Sequence, residues 1–314
     1  MGPIPIGLED LVELVLKQDP ASGRKLPRSR SEIWNTLAYC ALIDANRSEA
    51  EARYLYQLIE SRGLLKFDEV LKLRTKWADR VRRMLNNEMR KLSQGRKLSL
   101  LSTFVENHVD EMNLCLLSAA QYFLDQKVSR SFLKARTSSC QNTADLVGEI
   151  AYPKSEKHIY RIGLTKTILW LQDFGLALNL CPSSRQVISF VDDDLGFKVK
   201  PSIYGEDQEL AEIWTDLFNC IAKVRNVAEQ LTNRLSKPIT TRDVGKAIWY
   251  YKSCQSLLAR FRAGLKHRLT PAALIAFLDQ KRWDLDELGE RLCSIEEIDR
   301  LASELREFAS SLPS

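Results

Sequence analysis

The chain is 314 residues long, 45% hydrophobic and 28% charged, with 13 Gly, 10 Pro and a net charge of +5. This composition excludes collagen-like, disulfide-scaffold and largely disordered classes, and the length allows two domains or one domain with an extension. A net charge of this size names no partner by itself.

The elements follow in chain order. The first nineteen residues, MGPIPIGLEDLVELVLKQD, mix Leu, Val and Ile with acids as a short amphipathic helix does. They carry no basic region ahead of the apolar ones, so they do not read as a secretory signal. No apolar run approaches the roughly 18–20 residues that cross a membrane. A cytoplasmic chain with no membrane partner is the expectation.

Residues 31–44 place Ile33, Trp34, Leu37, Ala38, Ala41 and Leu42 on one face, the helical period. Ser48-Glu49-Ala50-Glu51 fits a capping box that opens a helix ending near Gly63. Residues 68–93 read as one long basic helix. Further amphipathic stretches lie at about 99–108, 111–126, 143–150, 155–161, 166–177, 184–192 and 206–234. Thr241 reads as the N-cap of the next helix, and Thr270-Pro271 as an N-cap with Pro at N1. Ser294-Ile295-Glu296-Glu297 is a last capping box. Strand signals are confined to brief alternation in ISFVDDD and GFKVKPSIY. The fold class is therefore all-α. Gly196, Pro201 and Gly205 suggest a division, giving domains 1–200 and 201–314.

Seven scattered cysteines, never closer than 25 residues, contain no CxxC. They argue against a disulfide framework, a zinc ribbon and an iron–sulfur cluster, and read mostly as small buried apolar residues. His108, His158 and His267 form no ligand pair. No metal and no cofactor are expected.

The most informative stretch is Ile159-Tyr160-Arg161-Ile162-Gly163-Leu164-Thr165-Lys166-Thr167. A glycine turn between two helices leaves backbone N–H groups at the positive end of the second helix, where they can grip a phosphate oxygen. Lys154, Lys157, Arg161 and Lys166 add charge nearby. Such a grip is indifferent to base sequence. A plain helix–helix turn is the alternative.

On these residues the chain resembles the helix-hairpin-helix DNA glycosylase superfamily, which includes endonuclease III and the 8-oxoguanine glycosylases. Of the family's Pro-Gly-apolar-Gly turn the chain has Tyr160-Arg161-Ile162-Gly163, keeping the second Gly with Arg161 at the first. Lys166-Thr167 and Phe174-Gly175 also fit. Leu42-Ile43-Asp44-Ala45-Asn46-Arg47-Ser48 is similar to the family's wedge segment, with Asn46 at the wedge position beside Arg47; Asn46 also reads as a cap for the following helix. The resemblance covers about residues 30–200. It implies a two-lobed helical fold with extra C-terminal helices, and a monomer that binds double-stranded DNA and flips a damaged or modified base. Cleavage of the N-glycosidic bond would follow, in base-excision repair or in defence against phage DNA. It further implies DNA contacts at Arg161, Gly163, Thr165, Lys166, Thr167, Asn46, Arg47, Lys154 and Lys157.

The chain departs from the family at two positions. Thr165 stands where the lyase members carry a nucleophilic lysine, and Lys166 follows one residue later. Ser184 stands near the expected catalytic aspartate, and the next acids are Asp192, Asp193 and Asp194. Bond cleavage builds positive charge on the sugar, which a carboxylate stabilises or uses to activate water. Candidate catalytic residues are therefore Asp192, Asp193, Asp194, Lys166 and Asp44, the last beside the wedge. Two further readings stay open: a DNA-binding protein on this fold without catalysis, and a helical protein-interaction module. Trp249, Tyr250 and Tyr251 read as core with an exposed flank, or as a stacking surface for a base.

Charge is localised. Residues 72–97 hold ten Lys or Arg against Asp79 and Glu88, a local +8. Beside a phosphate-gripping hairpin, this stretch reads as part of a DNA footprint or else as a solvated face.

Overall fold

Capping side chains open several of the helices. Ser29 Oγ accepts from the Glu32 N–H to open α2 (Arg30–Leu42), and Thr270 Oγ1 accepts from the Ala273 N–H to open α14 (Pro271–Gln280). The helix after Pro238 starts one residue earlier than its sequence suggests. Thr240 and Asp243 bond each other's backbone N–H, so Thr240 is the cap and Thr241 the first residue of α13 (Thr241–Arg260).

The computed structural model describes residues 4–5, 7–19, 24–43, 49–93, 95–182, 184–198, 210–260, 269–281 and 295–312. These residues are helical with no strand. The remaining helices are α1 (Leu8–Gln18), α3 (Glu49–Glu60), α4 (Phe67–Leu73), α5 (Lys76–Met89), α6 (Arg96–Asn107), α7 (Val109–Asp125), α8 (Arg130–Arg136) and α9 (Cys140–Ala151). After them come α10 (Leu164–Gln172), α11 (Arg185–Ser189), α12 (Leu210–Leu235) and α15 (Ile295–Ser311). A single π-helical turn, Phe190–Asp194, continues α11. The all-α expectation therefore holds.

Three expectations for individual elements change. The basic stretch is two helices, broken at Arg74, whose φ of 47° is left-handed. Residues 155–161 form turns: Pro153 ends α9 one residue after Tyr152, and Arg161 at φ 60° cannot continue a helix. Helix α8, capped by Ser129, has no counterpart in the sequence reading.

The contacts divide the chain into two units. One is Lys25–Ala177; the other joins Met1–Arg24 to Leu178–Ser314. The break thus lies earlier than the one read near residue 200, and the N-terminal helix belongs with the C-terminal part.

The Lys25–Ala177 unit is built around three fully buried tryptophans. A buried indole N–H needs an acceptor. Trp34 donates to the Leu65 carbonyl at 2.6 Å, Trp77 to Leu64 at 2.6 Å and Trp170 to Ile33 at 3.1 Å. The first two carbonyls follow Gly63, whose φ of 69° makes the turn that presents them.

In the other unit α1 packs on α13. Asp19 at the end of α1 takes hydrogen bonds from Arg24, Arg242 and Lys246. Burial alone would raise its pKa, but Lys246, Arg242 and Arg24 outweigh that and hold the carboxyl far below its ordinary value. Gly245 of α13 passes so close to Cys181 that a Cβ would stand 2.5 Å from the cysteine Cβ.

Candidate nucleic-acid interface

The hairpin between α9 and α10 is pinned from outside. The Ile159 N–H donates to the Ile150 carbonyl at 2.9 Å, folding the loop onto the end of α9. Ser118 of α7 accepts from the Tyr160 N–H at 3.0 Å and donates to the His158 carbonyl at 3.4 Å. The Ile162 N–H closes the turn on the Ile159 carbonyl at 3.0 Å, and both isoleucines are fully buried. Arg161, inside this turn, takes φ 60°. That left-handed conformation is the one glycine adopts without steric cost, and Arg161 stands where the family pattern has its first Gly.

Gly163 is the N-cap of α10, with φ −78° and ψ −176° and no side-chain cap. Its backbone is open to any residue type, and no atom lies within 4 Å of where a Cβ would be. The first turn of α10 contains no acid. The first bond of the helix runs from Thr167 N–H to Gly163 O at 3.0 Å, so the Leu164 and Thr165 amides have no acceptor within the helix. The result is an exposed helix N-terminus with room for an anion beside it.

The side chains around this turn divide. Arg161 pairs with Glu111 of α7, and Lys157 with Glu149 at 3.4 Å. Lys154 is exposed and makes no ion pair among the described residues. Thr165 is half-buried, whereas Thr167 is fully buried and its hydroxyl donates back to the Gly163 carbonyl at 3.1 Å, turned away from solvent. Lys166 is half-buried and its Nζ donates to the Ala41 carbonyl at 3.0 Å. That carbonyl belongs to the last turn of α2, the negative end of the helix dipole. Lys166 therefore faces the protein, at the root of the expected wedge segment. Asp44, Asn46 and Arg47 lie outside the described residues.

Beside Lys166 a cleft of about 330 Å³, counting space open to solvent, has apolar walls from Leu42, Phe104 and Met112 and polar groups from Arg161, Glu111 and His108. Cys115 lines it and Cys40 lies near. Burial pushes both thiols up, Cys115 to about 12, against a smaller opposing effect of the Lys166 charge. Both are protonated at neutral pH and are poor nucleophiles.

The acids lie in the other unit. Ser184 caps α11, its Oγ accepting from the Val187 N–H at 3.3 Å. The helix starts without an inserted loop, so Asp192 comes eight residues later, about 12 Å along the axis. None of the three acids therefore occupies the place that Ser184 takes. Asp193 accepts from Ser189 at 2.5 Å and from Lys252 at 3.2 Å, and these bonds hold its carboxyl below the usual range. Asp194 accepts from Lys252 at 2.8 Å. Asp192 is half-exposed and has no hydrogen bond or ion pair among the described residues.

Of the aromatic triplet, Tyr251 is buried against Phe190, while Trp249 and Tyr250 are half-exposed and meet edge to face at 5.2 Å. Among the described residues, no group of three or more His, Cys, Asp or Glu could hold a metal ion, and no helix is long and apolar enough to cross a membrane. Glu111, Ser118, Glu149 and Lys252 were not singled out from sequence. Glu111, Ser118 and Lys252 act through partners 42 or more residues away, and Glu149 reaches Lys157 across the turn, so none leaves a local pattern. Comparison with family models, with curated proteins and with solved structures gives no match.

Proposed function

We propose that the chain binds double-stranded DNA through the Ile159–Thr167 hairpin and acts as a DNA glycosylase of the helix-hairpin-helix type. In this reading it extrudes a damaged or modified base and hydrolyses its N-glycosidic bond. The observation that carries the proposal is the hairpin backbone. Arg161 holds the left-handed φ of 60° at the position of the family's first Gly, and Gly163 leaves open space at the start of an uncapped helix. Arg74, Lys127 and Ser236 also take a positive φ just after helix ends, so it is the pairing of Arg161 with the open Gly163 that sets this turn apart.

Two more features agree with it. The unit that ends at Ala177, just past Phe174-Gly175, contains the hairpin, and the N-terminal helix joins the later part of the chain. The cleft beside Lys166 lies at the end of α2, where the wedge segment would begin. Excision needs a carboxylate near the developing sugar cation. Asp192, away from the place that Ser184 takes, is the acid of its cluster that no lysine holds among the described residues, and we propose that role for it.

A second reading, DNA binding without excision, is favoured by Ser184 at the place of the expected aspartate. Duplexes carrying a panel of damaged and modified bases, incubated with the protein and then cleaved at abasic sites by hot alkali, separate the two. Strand breaks at one substrate are expected. Tight binding with no break on any substrate would leave the second reading standing, and no binding at low salt would overturn both.

A further inference from the structure

Helix α5 carries its charges in separate sectors. At 100° per residue, Lys76, Arg80, Arg83 and Arg90 fall within about 40° of one line along the helix, with Asn87 among them. All five are exposed, and none of the four cations makes an ion pair among the described residues. The opposite face is Trp77, Ala78, Val81 and Leu85, all buried. The two acids of the helix lie on the flanks and are engaged, Asp79 by Arg82 at 3.7 Å and Glu88 by Lys91 at 2.8 Å. A merely solvated helix interleaves its signs, because like charges three or four residues apart cost about 0.2–0.5 kcal/mol per pair. This helix instead keeps four like charges on one line, with Asp79 at its edge and Glu88 held by Lys91 on the other flank.

We infer that this stripe is a second nucleic-acid contact, distinct from the hairpin, that runs along the phosphate backbone of the duplex. The inference deepens the DNA-binding part of the proposed function and rests on it. From Lys76 to Arg90 the stripe is about 21 Å long, the rise of fourteen helical residues. Duplex DNA offers phosphates every 3.4 Å per strand along its axis, so the four cations face about six base-pair steps. A membrane surface fits less well, because interfacial helices pair a basic face with exposed apolar side chains and those of α5 are in the core. A protein partner would need an apolar anchor on this face, and the stripe has none.

The test is binding of a labelled 30-base-pair duplex across a salt series. It compares the unsubstituted protein, K76A/R80A/R83A/R90A, the charge-keeping R80K/R83K/R90K, and Gly163→Asp in the hairpin. The alanine variant is expected to bind at least tenfold more weakly at low salt. Its slope of log K against log salt should be reduced by about 3–4, near 0.9 for each phosphate left without its cation. The lysine variant should keep the slope, and thermal melting of both should match the parent. An unchanged slope in the alanine variant, alongside loss of binding in Gly163→Asp, would overturn the stripe and spare the hairpin. Loss in the alanine variant with none in Gly163→Asp would uphold the stripe and overturn the hairpin. No duplex binding by the unsubstituted protein would overturn both. Stripe-dependent binding to phosphatidylserine vesicles, with duplex binding unaffected by the alanine substitutions, would overturn the inference in favour of a membrane contact.

Discussion

Replacing Gly163 with aspartate separates what the hairpin does for the fold from what it does for a phosphate. The backbone at Gly163, φ −78° and ψ −176°, suits an N-cap side chain, and nothing lies within 4 Å of the new Cβ. An aspartate there caps α10, adds a negative charge to its positive end and removes glycine's flexibility from the unfolded chain. Each effect stabilises by a few tenths to about 1 kcal/mol. The fold should gain about 1 kcal/mol, a rise in melting temperature of roughly 2–4 °C for a domain of this size. The same carboxylate fills the space a phosphate oxygen would take and repels it. Loss of one charge-assisted hydrogen bond is worth about 1.5–3 kcal/mol, or about 10- to 150-fold in affinity. Thermal melting and fluorescence anisotropy with a labelled duplex read the two effects on the same sample. Stability should rise while affinity falls. Gly163→Ser, which caps without charge, should stabilise similarly and weaken binding less. A Gly163→Asp protein that melts higher and binds DNA as tightly as the parent would refute the hairpin as a phosphate site.

Other substitutions test other parts of the chain. Gly245→Ala puts a Cβ 2.5 Å from the Cys181 Cβ in a buried contact and should destabilise by about 1–3 kcal/mol in chemical denaturation; Cys181→Ala should not rescue it, because the clash is with Cβ and not with the sulfur. The Asp19 carboxyl has a folded pKa below its unfolded value of about 3.8, so its contribution is complete above about pH 5 and is lost as the pH falls. Melting of Asp19→Asn and the parent should therefore differ most near neutrality, and the difference should shrink steadily as the pH falls below about 4; a constant difference would show that the ion cluster is not the cause. Asp192→Asn should abolish base release in single-turnover assays and leave duplex affinity within about twofold, whereas Asp193→Asn should retain release; equal retention by both would remove the assigned role.

What the sequence revealed was local. Thr270-Pro271 and Gly163 announce helix starts because capping involves residues within four positions of each other. The apolar periods of α2 and α7 report cores because each face is buried along its length. The sequence did not reveal features set by distant partners. Trp77 reaches back to the Leu64 carbonyl across the Arg74 break, yet Val70, Trp77 and Val81 keep a helical spacing that reads as continuous. The N-terminal helix meets α13 through Asp19 and Arg242, 223 residues apart. The charged residues of the hairpin were legible as a cluster, but their neutralisation was not, since Glu111 and Glu149 come from helices earlier in the chain.

That neutralisation changes how the charge is to be understood. Near the hairpin, Arg161 is paired with Glu111, Lys157 with Glu149, and Lys166 is bonded to a helix-end carbonyl. The grip proposed there is therefore made chiefly by backbone amides and a helix dipole, with Lys154 the exposed cation of the cluster that makes no ion pair among the described residues. On α5 the reverse holds: its four stripe cations have no ion-pair partner among the described residues. Affinity from aligned amides is only weakly sensitive to salt, whereas affinity from phosphate neutralisation falls by nearly one power of salt per phosphate. The two surfaces thus carry different signatures. Gly163→Asp should shift the whole binding curve to weaker affinity at nearly constant salt slope, and the stripe variants should flatten the slope. If both changed the slope equally, amides and cations would be acting on the same phosphates, and the division between the two surfaces would fall.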